Sequence, residues 1–206
     1  MPHDGLSQAP SAAVHEAEDR RCVLWVQDRA AIRLGGRPYR PGLPRWLQAR
    51  LIHVAADKPE DALFALEEGL RCRDLACVIG EIAGNPRALD FTASRRLTLT
   101  AEKHGVPLWL VRIDAAQDLS SARMRWEAHA APSAPSPWDA RAPGGAAWRA
   151  MLFRARNHPP GEWTLDDDGQ GLAVRAKPAP KPAAKWAAPY PLGLAFAAGA
   201  RSLAAG

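Results

Sequence analysis

The side chains of this sequence that can do chemistry are its carboxylates, histidines, thiols and arginines, and their spacing decides what they can support. Gripping a triphosphate requires a backbone cradle and a lysine in the pattern G-x-x-x-x-G-K-S/T. That pattern occurs nowhere in the chain. The paired glycines of Gly35-Gly36-Arg37-Pro38-Tyr39-Arg40-Pro41-Gly42 punctuate a loop rather than cradle a phosphate. His53, His104, His129 and His158 have no mutual ligand spacing, and no H-E-x-x-H is present. Cys22, Cys72 and Cys77 form no C-x-x-C and no zinc-spaced set with histidine. No metal and no other cofactor is therefore expected. Asp166-Asp167-Asp168-Gly169 lacks the alternating ligands and distal Glu of a calcium loop, and reads as a hairpin turn. Ser120-Ser121 has no nearby histidine and no G-x-S-x-G elbow, so nucleophilic catalysis has no support.

The elements that position these residues change character midway along the chain. Cys22–Val26, Leu51–Ala55, Leu75–Ile79 and Leu108–Val111 are apolar runs of strand length, the signature of strands covered on both faces. Between them lie helical patterns. A short helix fits Pro44–Ala49. A longer one opens at Lys58-Pro59-Glu60-Asp61, with Pro and carboxylates suited to the positive helix end and Leu63, Leu66 and Leu70 on one stripe. The next starts at a capping Asp90, carries Ala93, Leu97, Ala101 and His104 on one face, and stops at Gly105. Beyond residue 120 the period becomes two: Met124, Trp126 and Ala128 alternate with Arg123, Arg125 and Glu127. The runs around Met151–Phe153 and Trp163–Leu165 behave likewise. Ala131–Gly145 reads as a long loop and Asn157–Gly161 as a turn. The fold class is α/β: a parallel β/α half followed by an antiparallel strand extension.

The chain of 206 residues suffices for one ordinary domain with tails, read as a flexible lead-in (1–20), a core (21–175) and a flexible Ala/Pro/Lys-rich tail (176–206). The formal charge is +5, and from Ala173 onward there are five basic residues and no acidic ones. The remaining 22 basic residues balance all 22 acidic ones. A neutral body is weak support for a dedicated DNA-binding surface, although the basic tail suits phosphate or an acidic partner. Trp186, Tyr190 and Phe196 form an aromatic cluster beyond the Pro/Lys stretch, read either as a docking peptide or as a tail that lies on its own domain or stays disordered. Three thiols without ligand spacing read as small, reduced core residues, and no leader or apolar membrane-length run is visible, so a cytoplasmic location and no membrane contact are expected.

The order of several short motifs resembles the ImuA family, RecA-like accessory proteins of bacterial mutagenic translesion synthesis. The resemblance is carried by Leu63-Phe64-Ala65-Leu66-Glu67-Glu68-Gly69-Leu70-Arg71, by Leu75-Ala76-Cys77-Val78-Ile79-Gly80-Glu81, and by Leu89-Asp90-Phe91-Thr92-Ala93-Ser94-Arg95-Arg96-Leu97. Arg125-Trp126, Trp148-Arg149 and Pro160-Gly161-x-Trp163 extend it, for a span of about residues 20–170. It implies a RecA-like core. Val14-His15-Glu16 resembles the close of the family's N-terminal segment, and only a few residues separate it from Cys22, where the resemblance implies a helix and strand of the nucleotide site. The N-terminal phosphate-loop element is thus expected to be missing, through a true deletion or a start assigned too late.

What the resemblance implies for function is a non-catalytic accessory or scaffold protein in the SOS response to DNA damage, acting in error-prone translesion synthesis and DNA repair. The implied partners are an ImuB-like inactive Y-family polymerase, RecA and, through the complex, an error-prone C-family polymerase. Any role for DNA would be indirect. Against RecA-type cores, Asp28 and Glu81 stand near the places of a water-activating and a Mg-associated acid, and are read as vestigial. Ser94, Arg95, Arg96, Arg125, Trp126, Trp186, Tyr190 and Phe196 are the candidate partner contacts. For Ser94-Arg95-Arg96 the alternative is a solvated helix face. For the arginines of the antiparallel half it is a set of ordinary salt bridges. A divergent ATPase using Asp28 and Glu81, and a DNA-binding module driven by the tail, are the competing functions.

Overall fold

A computed structural model describes residues 19–136, 138–139, 141–167 and 171–175. The tail 176–206, and the lead-in except residues 19 and 20, lie outside them. The chain divides into two compact units, one ending at Arg123 and one starting at Met124.

The first unit is built on four parallel strands, β1 (Cys22–Asp28), β2 (Leu51–Ala56), β3 (Leu75–Ala83) and β4 (Leu108–Ile113), in the order β2-β1-β3-β4. The continuous apolar runs of β1 and β3 follow from their central place, because a strand roofed on both faces has no position left for a solvated side chain. Even-numbered residues of β1 point to one core. There Leu24 and Val26 join Val78 and Ile82 of β3 against helices α3 (Pro59–Arg71) and α4 (Phe91–His104). The leucine stripe of α3 is wholly buried: Leu63, Leu66 and Leu70 all face this core. Odd-numbered residues point to a second core, where Val23, Leu51, Ala76 and Cys77 meet Leu47 of the short helix α2 (Arg45–Gln48), with Trp25, Trp46 and Ile79 at its margin.

Helix ends fall where the sequence places them. Asp90 accepts a hydrogen bond from the Ala93 amide at 2.7 Å, and Gly105 closes α4 in the left-handed region at φ +70°. Sequence reasoning did not anticipate α1 (Arg29–Gly35), a seven-residue helix too short to display a periodic stripe. It also placed all three thiols inside. Cys77 is buried and Cys22 partly so, but Cys72 is exposed, because it is the residue at which α3 ends and the chain turns outward. Burial pushes the Cys77 thiol up from its ordinary range. Among the described residues no helix is long and apolar enough to cross a membrane.

The second unit is an antiparallel sheet in sequential order: β5 (Met124–Ala130), β6 (Ala147–Ala155), β7 (Gly161–Asp167) and β8 (Leu172–Val174). The period-two runs after residue 120 are these strands. Asp167 pairs antiparallel with Leu172, and the Asp168-Gly169 turn expected between them lies outside the described residues. The expected loop 131–145 carries one isolated antiparallel bridge, Pro135 to Pro143. The sheet is two-faced. Register aligns Trp126 with Leu152, Trp163 with Ala150, and Trp148 and Val174 with Leu165. On the other face, Arg149 approaches Glu162 at 3.9 Å and Arg175 binds Asp166, which holds that carboxyl below its ordinary range.

Packing in the first unit is tight enough to be tested at one residue. A Cβ on Gly80 would sit 2.8 and 2.9 Å from the two methyls of Leu66 and 3.1 Å from a methyl of Leu110. Leu66 is fully buried. Gly80→Ala is expected to cost about 1–3 kcal/mol by overpacking. Gly171→Ala, which meets open space, is expected to be nearly neutral. Urea unfolding of the two variants followed by circular dichroism checks the contrast.

Candidate functional site

The connection from β1 leads to β2 on one side, while β3 lies on the other side of β1. In open α/β sheets ligands sit outside the carboxyl ends of the strands at such a reversal. Here that position is occupied by a chain of side-chain hydrogen bonds. Gln27, on β1, is 1% exposed. Its amide nitrogen donates to Glu81 Oε2 on β3 at 2.5 Å and to the Gly36 carbonyl beyond α1 at 2.9 Å. Its amide oxygen lies 2.9 Å from His53 Nε2 on β2. With the amide nitrogen committed to two acceptors, its oxygen must accept, so His53 carries its proton on Nε2. One buried amide thereby joins three strands and the end of a helix.

The electrostatics favour a neutral imidazole. Burial, together with the positive charges of Arg37 and Arg40, holds His53 below the ordinary histidine range, against an opposing pull from Glu81. Arg40 is itself placed by a 2.9 Å bond to the Leu51 carbonyl.

The two acids singled out from the sequence are not brought together. Glu81 shares a face with Gln27, its register partner. Asp28 follows Gln27 in the strand, so alternation sends it to the opposite face. It is 1% exposed, and its carboxylate accepts from the Ala31 amide at 2.6 Å as the N-cap of α1. Each acid thus has a definite structural task.

The candidate contacts on α4 separate into an inner and an outer group. Ser94 lies inside rather than on the surface. Its hydroxyl donates to the Phe91 carbonyl at 3.1 Å and accepts from the Ser121 amide at 3.0 Å, while Ser121 and Thr98 hydroxyls meet at 2.7 Å. The serine at this helix position pins the segment that follows β4. Arg95 and Arg96 are exposed. Arg96 pairs with Glu67 of α3 at 2.6 Å, and Glu67 also accepts from Arg71 at 2.8 Å. Arg95 makes no ion pair among the described residues and is the freer anchor. In this pair Arg96 is largely exposed and Glu67 mostly buried.

In the second unit Arg125 lies over the Phe153 ring at 5.0 Å and is in register with Arg154. Arg149 is paired with Glu162, and Arg123, the last residue of the first unit, with Glu102, so the arginines read from the antiparallel half do not form one continuous basic face. Trp126 stacks in a tilted arrangement on Trp163, centroids 5.3 Å apart. Trp186, Tyr190 and Phe196 lie outside the described residues. Sequence reasoning missed the Gln27 chain and the membership of Trp148 and Trp163 in one surface. The signals were a lone Gln and a lone His within apolar strand runs, and tryptophans spaced so that antiparallel register brings them side by side.

No protein-family model matches the chain. Two curated proteins, both described as Protein ImuA and from two strains of Caulobacter vibrioides, are each 33% identical to it over 186 residues, covering 82% of this chain and 72% of theirs.

Two outcomes follow from the Gln27 chain. Gln27→Leu leaves the His53 donor, the Gly36 carbonyl and Glu81 without their partner, and is expected to destabilise the first unit by about 1–3 kcal/mol. Thermal melts give this directly. Because the fold lowers the proton affinity of His53, its unfolded state takes up the proton first as pH falls. The stability from the neutral imidazole is complete above the ordinary histidine range. It declines as pH drops from that range toward the depressed folded value. His53→Gln keeps a donor and removes the titration, so its melting temperature is expected to change less between pH 7 and 5.5 than that of the parent chain, both pH values lying near the reference ~6.5 of imidazole.

Proposed function

This chain belongs to the ImuA family, and we propose on that basis that it is a non-catalytic accessory protein of SOS-induced, error-prone translesion DNA synthesis and DNA repair. It acts by holding proteins together. Its partners on this reading are an ImuB-like inactive Y-family polymerase, RecA and, through the assembled complex, an error-prone C-family polymerase. The RecA-like character of the parallel sheet belongs to the same proposal.

The observation that supports assembly over catalysis is the state of the strand ends. Glu81 is bound to Gln27, Asp28 caps a helix, and the two sit on opposite faces. A shared metal–phosphate site needs carboxylates that converge on one ion, with a cradle for the phosphates. Neither acid is disposed that way. Contact energy in such a protein comes from a few anchors, of which Arg95 and Arg96, exposed on α4, are the candidates in the first unit.

Affinity capture with the tagged full-length chain is expected to retain RecA and the ImuB-like polymerase relative. Charge reversal at Arg95 and Arg96 together should cut retention of one of them by tenfold or more, the scale of ~1.4 kcal/mol at a hot spot. Magnesium-dependent ATP turnover that disappears in Glu81→Gln, or loss of neither partner in the double reversal, would count against the proposal.

A further inference from the structure

We propose that the tryptophan-lined face of the C-terminal sheet is covered by residues 186–196 of the same chain. The inference is independent of the accessory role. It starts from a missing layer. A sheet that is apolar on one face needs a second layer against that face. Among the described residues of the second unit, only Ala147, Ala150 and Leu152 reach full burial, and both extensive core clusters belong to the first unit. Yet Trp126, Trp148, Trp163, Leu152, Leu165 and Val174 are aligned by register on one face. The face is open at its margin: Trp126 is 37% exposed and Val174 is 51% exposed.

Three observations identify the occupant. The first is where the described chain ends. Arg175 follows β8, the edge strand that carries Val174, so the remaining 31 residues depart from the rim of this face. The second is reach. Ten residues, 176–185, precede Trp186. Extended proline-rich chain spans ~3.1 Å per residue, giving roughly 31 Å. Four strands spaced ~4.8 Å apart are only about 14 Å across. The third is pattern. Tyr190, Leu192, Leu194 and Phe196 recur with a period of two, separated by Pro191, Gly193 and Ala195. In an extended conformation all four large side chains fall on one side and only small residues or proline on the other. A segment of that kind supplies an apolar layer without presenting a new apolar face to water. A short tether holds it at millimolar effective concentration, so even a weak contact is populated within the chain. A partner that uses Trp186, Tyr190 or Phe196 must then compete with the chain's own sheet.

The test uses the full-length protein with Phe196 replaced by photoreactive p-benzoylphenylalanine, as an equal mixture of nitrogen-15-labelled and unlabelled chains. After irradiation and digestion, the expected products join the tail to peptides from 124–174 of the same isotopic chain. Their yield should fall several-fold in Trp163→Ser. Because that change alters the sheet itself, a second variant with Tyr190, Leu192 and Leu194 all changed to Ser should lower the yield as much while leaving the circular dichroism spectrum unchanged. Products joining differently labelled chains would mean a second copy is the occupant. Products in 19–123 would place the tail on the other unit. Either result, or the absence of products with the second unit, overturns the proposal.

Discussion

A buried amide must be paired on both its donor and its acceptor side, and the first unit is arranged around one that is. Gln27 sits on the central strand β1 and has one side-chain bond to each of its two neighbours, β2 and β3, and one to the end of a helix. Water cannot serve as a substitute partner at a residue so completely enclosed, so the strands must keep their register and α1 must finish where the Gly36 carbonyl is available. The neutral state of His53 is favoured by the same enclosure, since a third positive charge beside Arg37 and Arg40 would be set in a partly desolvated place.

The two units solve the burial problem differently. The first packs a core against each face of its central strands, with long helices on one side and a short helix on the other, while Trp109 and Val111 on edge strand β4 stay exposed. Gly80 lets the floor of one layer approach Leu66 closely. Among the described residues the second unit is a single sheet, in which Trp126 is partly in solvent beside its fully buried register partner Leu152. A face already roofed contributes stability, while an apolar face open at its margin calls for a further layer.

Much of the architecture was legible because it depends on local rules. Continuous apolar runs gave β1 and β3, the leucine stripe gave α3, and Asp90 with Gly105 bounded α4. Alternation marked the antiparallel half. The failures have equally definite causes. Helix α1 is shorter than two full repeats of helical period, so no stripe exists to be read. Cys72 was assigned to the interior from its apolar surroundings in sequence, but it stands where a helix stops. Ser94 looked like part of an outward Ser-Arg-Arg motif, whereas helical rotation carries it inward and leaves the arginines outside. The Gln27 chain joins residues 9, 26 and 54 positions apart. A single sequence holds no record of that meeting, because it is created by strand order alone.

The cap formed by Asp28 has a wider implication. Starting a helix needs only a short side chain with an acceptor oxygen, a demand that aspartate, asparagine or serine can meet. Folding thus asks only for an acceptor at this position, so the aspartate found here accounts for the turn without itself implying turnover.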